Sequence, residues 1–449
     1  MSHQRKPFLP RPAQSVSSGL KPDTQRAQHR SKAARVETPA RPRLAAAGSP
    51  LRIIVAGMVA QYPLGGVAWD YLQYVMGFAC LGHDVFYHED TWCWPYHPPD
   101  NRMTDDAGHS AGFLKDFFQR YAPELAEHWH YMHLHEASYG MSRRAFDAVA
   151  RTADLFINMS GASFLPDALS PHCLKIFVDT DPGYNQIVLS ECPAWSENVG
   201  RWRAGVLAHD RHFTYGENIG ALDCRMPTSG LNWQKTRIPI LLDLWKGIPT
   251  PISPIGAWST VMTWNVFRGE LKHGGAEYHD KSVEFDKIVD LPRQVGLPFR
   301  LALGGTEAPS AKLAARRWAV DDGPAITLTP QHYQDYIASS RGEISVAKNV
   351  YVALRTAWFS GRSACYLAAA RPVVAQDTGL SRVIPTGSGL YAFTNAEQAA
   401  EAIRAIECDY EHQAHVAREL AHAYFDSQRV LTRLIDDALA GPSEGGSAA

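Results

Sequence analysis

The sequence lacks several features that would assign it to a class at once. Its seven cysteines are scattered and include no C-x-x-C pair, so we expect a reducing, cytoplasmic location and no zinc site. No apolar run approaches the roughly 20 residues that a membrane-spanning helix needs, so we expect no integral membrane segment. The net charge of −2 lacks the basic excess that favours nucleic acid or an anionic membrane as a partner.

Large apolar side chains are also scarce in the first fifty residues. This segment contains ten Lys and Arg residues, two acidic residues and seven prolines. Such a composition cannot bury enough surface to offset the entropy of ordering, and its prolines interrupt the amphipathic helix of a transit peptide. We therefore predict that residues 1–50 are a disordered, basic, proline-rich tail.

The remaining chain is long enough for two hydrophobic cores. We predict a first domain over 51–250, a second over 251–425, and a helix end with a flexible tail over 426–449. Residues 52–58 are typical of a buried parallel strand, 67–81 of a helix and 85–87 of the next strand, which makes a right-handed βαβ unit.

The loop inside that unit lacks the G-x-G-x-x-G pattern of dinucleotide sites. Its Gly65 and Gly66 would nevertheless let backbone amides approach a ligand closely. The glycine pair is therefore a candidate for close approach to a ligand.

Polar residues follow other apolar strands in the first domain. Asp179 and Asp181 come at the end of one such strand, where open α/β sheets bind their ligands. Either carboxylate could act as a catalytic base or bind a sugar, although Asp181-Pro182-Gly183 is equally typical of a turn. His209 is a third candidate base, against the alternative of a solvated loop histidine. The histidines of 128–135 do not share one helix face, so no metal site is predicted there.

Residues 359–379 are the most informative stretch. Ser360-Gly361-Arg362-Ser363 opens a short helix, whose free N–H groups and dipole attract an anion, and Arg362 adds a guanidinium suited to phosphate oxygens. A buried strand, 372–375, follows, with Gln376-Asp377-Thr378-Gly379 at its carboxyl end. Lys348, which we place at the end of the neighbouring strand 342–348, would add a second cation. Together these features predict a site for a sugar diphosphate.

The stretch Arg371-Pro372-Val373-Val374 with Gln376-Asp377-Thr378-Gly379, followed by Pro385-Thr386-Gly387-Ser388-Gly389-Leu390, resembles the donor half of GT-B glycosyltransferases. The Ser-x-Arg-Ser opening is similar to their spore-maturation-type branch. The resemblance implies an α/β fold of two Rossmann-like domains facing a cleft, with Gly65 and Gly66 facing the diphosphate and acceptor. One position departs from the pattern: Cys365 stands where many retaining relatives carry a ribose-binding glutamate.

The resemblance implies transfer of a sugar from a nucleoside-diphosphate sugar to an unidentified acceptor. Lys348, Arg362 and Ser363 would neutralise the leaving diphosphate in place of a metal ion, and Gln376 and Asp377 would orient the sugar hydroxyls. No cofactor beyond the nucleotide sugar is expected. The alternatives are a nucleotide-sugar epimerase or hydrolase of the same fold, and a non-catalytic protein that binds a nucleotide sugar.

Overall fold

A computed structural model describes residues 49–191, 197–248, 256–265, 271–305 and 308–440. Nearly all of the predicted tail 1–50, and the end at 441–449, lie outside the described residues. Within the described ranges the chain forms two separate, mainly parallel sheets of eight and six strands, each packed against helices. The predicted fold class, α/β with two Rossmann-like domains, is confirmed. None of the described helices combines the length and hydropathy needed to cross a bilayer.

The first lobe is built on the sheet with strand order β10-β9-β8-β7-β1-β2-β5-β6, in which only β5 and β6 pair antiparallel. Its strands are β1 (Arg52–Ala56), β2 (Asp84–Glu89), β3 (Tyr96–His97), β4 (Arg102–Met103), β5 (Trp129–His133), β6 (Ala137–Gly140), β7 (Leu155–Met159), β8 (Leu174–Asp179), β9 (Arg211–Thr214) and β10 (Trp233–Lys235). Its helices are α1 (Gly65–Cys80), α2 (Gly108–Tyr121), α3 (Arg143–Ala150), α4 (Tyr184–Glu191) and α5 (Glu197–Leu207). The central strands β1 and β7 are almost wholly buried and apolar, as expected for parallel strands with crossover helices on both faces.

The second lobe is built on a wholly parallel sheet with strand order β15-β14-β11-β16-β17-β18. Its strands are β11 (Trp258–Thr263), β12 (Leu271–His273), β13 (Ala276–Tyr278), β14 (Phe299–Gly304), β15 (Trp318–Asp322), β16 (Gly342–Ser345), β17 (Val373–Gln376) and β18 (Leu390–Phe393), with β12 and β13 forming a separate hairpin. Its helices are α6 (Lys281–Phe285), α7 (Leu291–Val295), α8 (Ser310–Ala315), α9 (Gly323–Ile326), α10 (Pro330–Ser339), α11 (Asn349–Leu354), α12 (Gly361–Ala368), α13 (Ala396–Cys408) and α14 (Tyr410–Tyr424).

The last helix, α15 (Ser427–Ala440), returns to the first lobe. Its Leu431 packs so closely on α1 that a methyl group on Gly77 would come within 2.5 Å of it. Residues 412–439 have the apolar spacing of one continuous helix. The structure breaks it at 425–426, because Ile240 donates its N–H to the Phe425 carbonyl at 2.6 Å and pairs with Asp426 as a short parallel bridge.

Residues 241–245 are an apolar run that would suit a last core strand of the first domain, but the structure has a 3-10 turn over Leu242–Trp245. The side chain of Trp245 is buried against Trp69 of α1, with ring centroids 5.7 Å apart. Packing of this one large ring, and not strand pairing, fixes the segment.

The two lobes share apolar surface. One continuous core contains side chains of α1 and of the first sheet together with side chains of α10, α12 and α14 from the second lobe. This packing holds the carboxyl ends of β8 and β16 on opposite sides of a polar cleft, where the lobes meet.

A candidate active site between the lobes

Three cations of the second lobe lie within electrostatic range of one another at this cleft. Lys281 is the first residue of α6, Arg362 lies in the first turn of α12, and Lys348 immediately precedes α11. Burial, reinforced by the charges of Arg362 and Lys348, lowers the pKa of the Lys281 ammonium to about 7. Among the described residues, none donates to, accepts from or forms an ion pair with this ammonium. Lys281 was not among the residues predicted from the sequence.

Arg362 was predicted to face phosphate oxygens, but its guanidinium points into its own lobe. Nε donates to Glu343 Oε1 at 2.5 Å, Nη1 to the Val261 carbonyl at 2.5 Å and Nη2 to Ser345 Oγ at 2.8 Å. The Glu343 side chain is 0% exposed and that of Arg362 is 9% exposed. A carboxylate buried so completely needs a cation close by. Arg362 supplies that cation, so its guanidinium stays inside the second lobe.

Lys348 lies at the cleft, although β16 ends at Ser345 and not at the lysine, as the sequence predicted. Its ammonium lies 2.5 Å from Asp181 Oδ2 of the first lobe. The hydroxyl of Tyr351 also donates to Asp181. The structure therefore joins two predicted site residues, Lys348 and Asp181, in an ion pair that bridges the lobes.

Asp179 was predicted as a candidate base, but it lies inside the first lobe. Its carboxylate is 0% exposed and accepts four hydrogen bonds. The donors are Asn185 Nδ2 at 2.7 Å, Gln186 Nε2 at 2.7 Å, Thr214 Oγ1 at 2.6 Å and the Asp181 N–H at 2.9 Å. Burial raises the pKa of Asp179. These hydrogen bonds show that the Asp179 carboxylate holds the loop that carries Asp181 in place. The structure does not support a catalytic role for Asp179.

His209, the other predicted base, lies at the wrong edge of the sheet. It precedes β9, whereas Asp179 and Thr214 mark the carboxyl ends of β8 and β9. Its Nδ1 donates to the Gly205 carbonyl at 2.8 Å, and burial lowers the pKa of its imidazole to about 4. A buried imidazole one strand length from the cleft cannot reach a substrate bound there.

The predicted sugar-binding turn after β17 is largely satisfied by protein. Gln376 Nε2 donates to the buried Glu284 carboxylate, and its Oε1 accepts from the Ala347 N–H at 3.2 Å. Thr378 Oγ1 donates to the Trp358 carbonyl at 2.7 Å. These two side chains hold neighbouring segments in place.

Asp377, Gly379 and Ser363 complete the predicted donor set. Asp377 Oδ1 accepts from the Gly379 N–H at 2.8 Å, its Oδ2 lies 4.0 Å from Arg355 Nη1, and its side chain keeps 16% exposure. Gly379 has a φ of +94°, which only glycine adopts without strain. Ser363 is buried, with its Oγ 3.4 Å from Ser345 Oγ. Asp377 is the carboxylate of this turn, and it remains partly exposed although each of its oxygens has a protein partner.

Gly65 and Gly66 make a contact between the lobes. The Gly65 N–H donates to the Thr327 carbonyl at 2.6 Å, and a Cβ at Gly65 would lie 2.3 Å from the Thr329 carbonyl oxygen. A Cβ at Gly66 would lie 3.3 Å from Tyr333. The predicted close approach of backbone is present, but its partner is the second lobe.

Asp70 of α1 also lies at this candidate site, and it was not among the residues predicted from the sequence. The residue is exposed, and none of the described residues forms a hydrogen bond or ion pair with its carboxyl. It lies at the start of α12, where a Cβ on Gly361 would come within 2.4 Å of Asp70 Oδ1. Although the side chain opens into the cleft, protein surrounds it on both sides. This desolvation raises the pKa of Asp70 to about 7, against the opposing effect of Arg362 and Lys281. Asp70 is the one charged residue of α1. A single charge on an otherwise uncharged helix is the sequence feature that could have identified it.

A chain of hydroxyl groups lies beside Asp181. Tyr71 OH is 3.0 Å from Ser160 Oγ, which is 2.6 Å from Thr180 Oγ1. Ser160 follows β7 in the left-handed region, with a φ of +61°. This backbone conformation costs energy for a residue other than glycine, so the surrounding structure must hold Ser160 in place.

No family model matches the chain, and no curated protein matches its sequence. Solved glycosyltransferase structures align along most of it. They include HepE from Anabaena in complex with UDP and glucose, at 12% identity over 86% of this chain and 98% of that one, with a TM-score of 0.49. An alpha-glucosyltransferase in complex with UDP and DNA aligns at 10% identity over 87% and 100%, also with a TM-score of 0.49. Sucrose-phosphate synthase from Thermosynechococcus elongatus aligns at 12% identity over 86% and 97%, with a TM-score of 0.44. The fold assignment rests on the order of the two sheets, since likeness at this level says nothing about chemistry.

Proposed function

We propose that this protein transfers a glycosyl group from a nucleoside-diphosphate sugar to a hydroxyl group of an acceptor held in the cleft. Lys281 is the observation that carries the proposal. Its half-buried ammonium has no partner among the described residues and faces two further cations, and together with burial these lower its pKa to about 7. A diphosphate would restore the lost solvation, offset the repulsion and keep Lys281 protonated.

The proposed reaction breaks the bond between the anomeric carbon and the diphosphate oxygen. Lys281 would contact the leaving diphosphate, and Lys348 would join it by exchanging Asp181 for a phosphate oxygen. Arg362 would act from within the lobe as a fixed positive charge, since its donors already hold Glu343. No metal ion takes part in this proposal.

Polar groups at the cleft would bind the sugar and the acceptor. The partly exposed carboxylate of Asp377, whose Oδ2 pairs with Arg355 at 4.0 Å, would accept from a sugar hydroxyl. Gln376 would act indirectly by positioning Glu284 and the segment before Lys348. Asp181, once released by Lys348, and the hydroxyl of Ser160 would face the same space from the first lobe.

The experiment is a binding series on two variants, with nucleosides, nucleoside diphosphates and nucleotide sugars. A ligand at ~100 times its dissociation constant should raise the free energy of unfolding by ~2.7 kcal/mol, which identifies the base. Lys281→Ala should lower affinity for the matching diphosphate by about ten- to a hundredfold and leave nucleoside affinity unchanged. Lys312→Ala is the matched control, because Lys312 is an exposed lysine of the same lobe paired with Asp286.

Equal losses for nucleoside and diphosphate would show that Lys281 does not contact phosphate. Stabilisation by no nucleotide at all would refute the donor site. Turnover of the sugar donor at the same rate with and without added acceptors would favour the hydrolase alternative. Tight donor binding with no release of nucleoside diphosphate would indicate a binding protein.

A further inference from the structure

We propose that Asp70 is the general base that removes the proton from the acceptor hydroxyl, so that transfer inverts the configuration at the anomeric carbon. The inference rests on the proposed function, since it assigns the proton of that same transfer. It is carried by the position of Asp70: an unpartnered carboxyl, supplied by the first lobe, that lies near the cations which the second lobe presents to the leaving group.

The location of Asp70 is unusual for a carboxylate on α1. The helix is otherwise without charge and packs in the shared core, yet this side chain is exposed where the lobes meet. The contact with Gly361 places it against the first turn of α12 and beside Arg362 and Lys281. A carboxyl kept free of hydrogen bonds at the meeting of two lobes has its acceptor oxygens available to a bound ligand.

Four other acids near the cleft are already committed. Asp179 accepts four hydrogen bonds and is not exposed, Asp181 is held by Lys348 and Tyr351, and Glu343 is buried against Arg362. Glu89 is buried as well, and its carboxylate accepts the N–H groups of Ala60 and Gln61 at 2.6 Å each. Asp70 combines exposure with two free oxygens, which none of these four acids does.

The surroundings of Asp70 also suit proton transfer near neutral pH. Desolvation by the surrounding lobes raises the pKa of this carboxyl to about 7, and Arg362 and Lys281 keep it from rising further. Lys281, whose pKa is lowered to about 7, changes its charge in the same pH range. Burial raises the pKa of the tyrosine and cysteine side chains that interact with Asp70, so they stay neutral in that range. These groups are Tyr71, Tyr74, Tyr215, Tyr333 and Cys365. A general base is most effective when its pKa lies near the working pH.

The step balances without a co-reactant. A carboxylate oxygen of Asp70 takes the acceptor proton while the acceptor oxygen forms its bond to the anomeric carbon. The bond from that carbon to the diphosphate oxygen breaks, and its electron pair leaves on the nucleoside diphosphate beside Lys281 and Lys348. Because attack and departure occur on opposite faces of the sugar carbon, one displacement inverts its configuration.

Asp70→Asn tests the assignment, with Asp116→Asn on the exposed face of α2 as the matched control. The readout is release of nucleoside diphosphate from the donor identified by the binding series, with water or an added alcohol as acceptor. Loss of a general base should lower kcat by about a hundred- to ten-thousandfold. Affinity for the nucleoside diphosphate should stay the same or rise, because a negative charge near the phosphates is removed. Asp116→Asn should match the parent in both measurements.

Two further readouts separate a base from a merely structural residue. With saturating donor, kcat of the parent should fall about tenfold per pH unit below the Asp70 pKa, and this acidic limb should be absent in Asp70→Asn. Proton NMR should show that the sugar first released has the anomeric configuration opposite to that of the donor.

Retention of configuration, or a parental kcat in Asp70→Asn, would overturn the inference and leave the donor site standing. Diphosphate binding without any turnover by the parent would do the same. If the parent binds no nucleoside diphosphate, the proposed function fails first, and the inference fails with it.

Discussion

Arg362 and Glu343 form an ion pair inside the second lobe, where water has little access to either side chain. Oε1 of Glu343 accepts from Arg362, while its Oε2 has no hydrogen-bond partner among the described residues. The guanidinium therefore provides most of the compensation for a buried negative charge. Residue type alone suggested a phosphate ligand, but the burial of Glu343 determines where the side chain points.

Arg362→Ala should mainly affect stability. Removing one member of a buried pair leaves an uncompensated charge, which typically costs ~3–5 kcal/mol in the free energy of unfolding. Urea denaturation of Arg362→Ala and of the double variant Arg362→Met/Glu343→Gln would measure this, and the double variant should recover most of the loss. Unchanged stability together with a large loss of diphosphate affinity would instead support the direct phosphate contact predicted from the sequence.

At the scale of elements, α1 begins where the two lobes touch. The Gly65 amide and its Cα hydrogens fill a space too small for a side chain, against the Thr327 and Thr329 carbonyls. The start of α1 thereby sets the separation of the lobes, and with it the position of Asp70 about one turn and a half along the helix.

Gly65→Ala should push these carbonyls away and lower the free energy of unfolding by ~1–3 kcal/mol. It should also lower kcat, because Asp70 moves with the helix. Gly112→Ala on α2 is the control: nothing lies within 4 Å of its Cβ, and alanine should favour that helix by up to ~1 kcal/mol. Thermal unfolding and donor turnover measure both effects. Equal stability of the two variants would show that the contact at Gly65 is not tight.

The elements that the sequence predicted well are those specified by their own residues. The β1–α1–β2 unit and the strand β17 have continuous apolar runs that are buried in any packing of this fold. The helix break before α15 and the turn at Leu242–Trp245 depend on Ile240, Phe425 and Trp69, which are remote in sequence.

The candidate site was predictable to a smaller extent. The edge of the sheet that carries Asp181 was predicted, but whether each polar side chain there faces protein or cleft depends on partners that are distant along the chain. For this reason the sequence could not show that Asp179 and His209 are buried among protein partners, or that Lys281 and Asp70 lie at the cleft.

At the scale of the whole molecule, the proposed counter-charge for the donor comes from side chains of one lobe. Chelation should therefore leave the rate of transfer within about twofold of its value without chelator, since the fixed side-chain cations stabilise the leaving diphosphate in place of a metal ion. The measurement is nucleoside diphosphate release in excess EDTA. Abolition of turnover, with recovery on adding magnesium or manganese, would show that a metal ion takes part. Among the described residues, no group of three or more His, Cys, Asp or Glu side chains is arranged to hold one.

The short bridge between Ile240 and Asp426 has a mechanical consequence. The chain leaves the first lobe after Ile240 and returns to it at Asp426, and hydrogen bonds join these two passages side by side. Because hydrogen bonds tie the two passages together, neither passage can shift without straining the other. Loosening one passage should therefore move both, and with them the relative positions of Asp70 on the first lobe and Lys281 on the second.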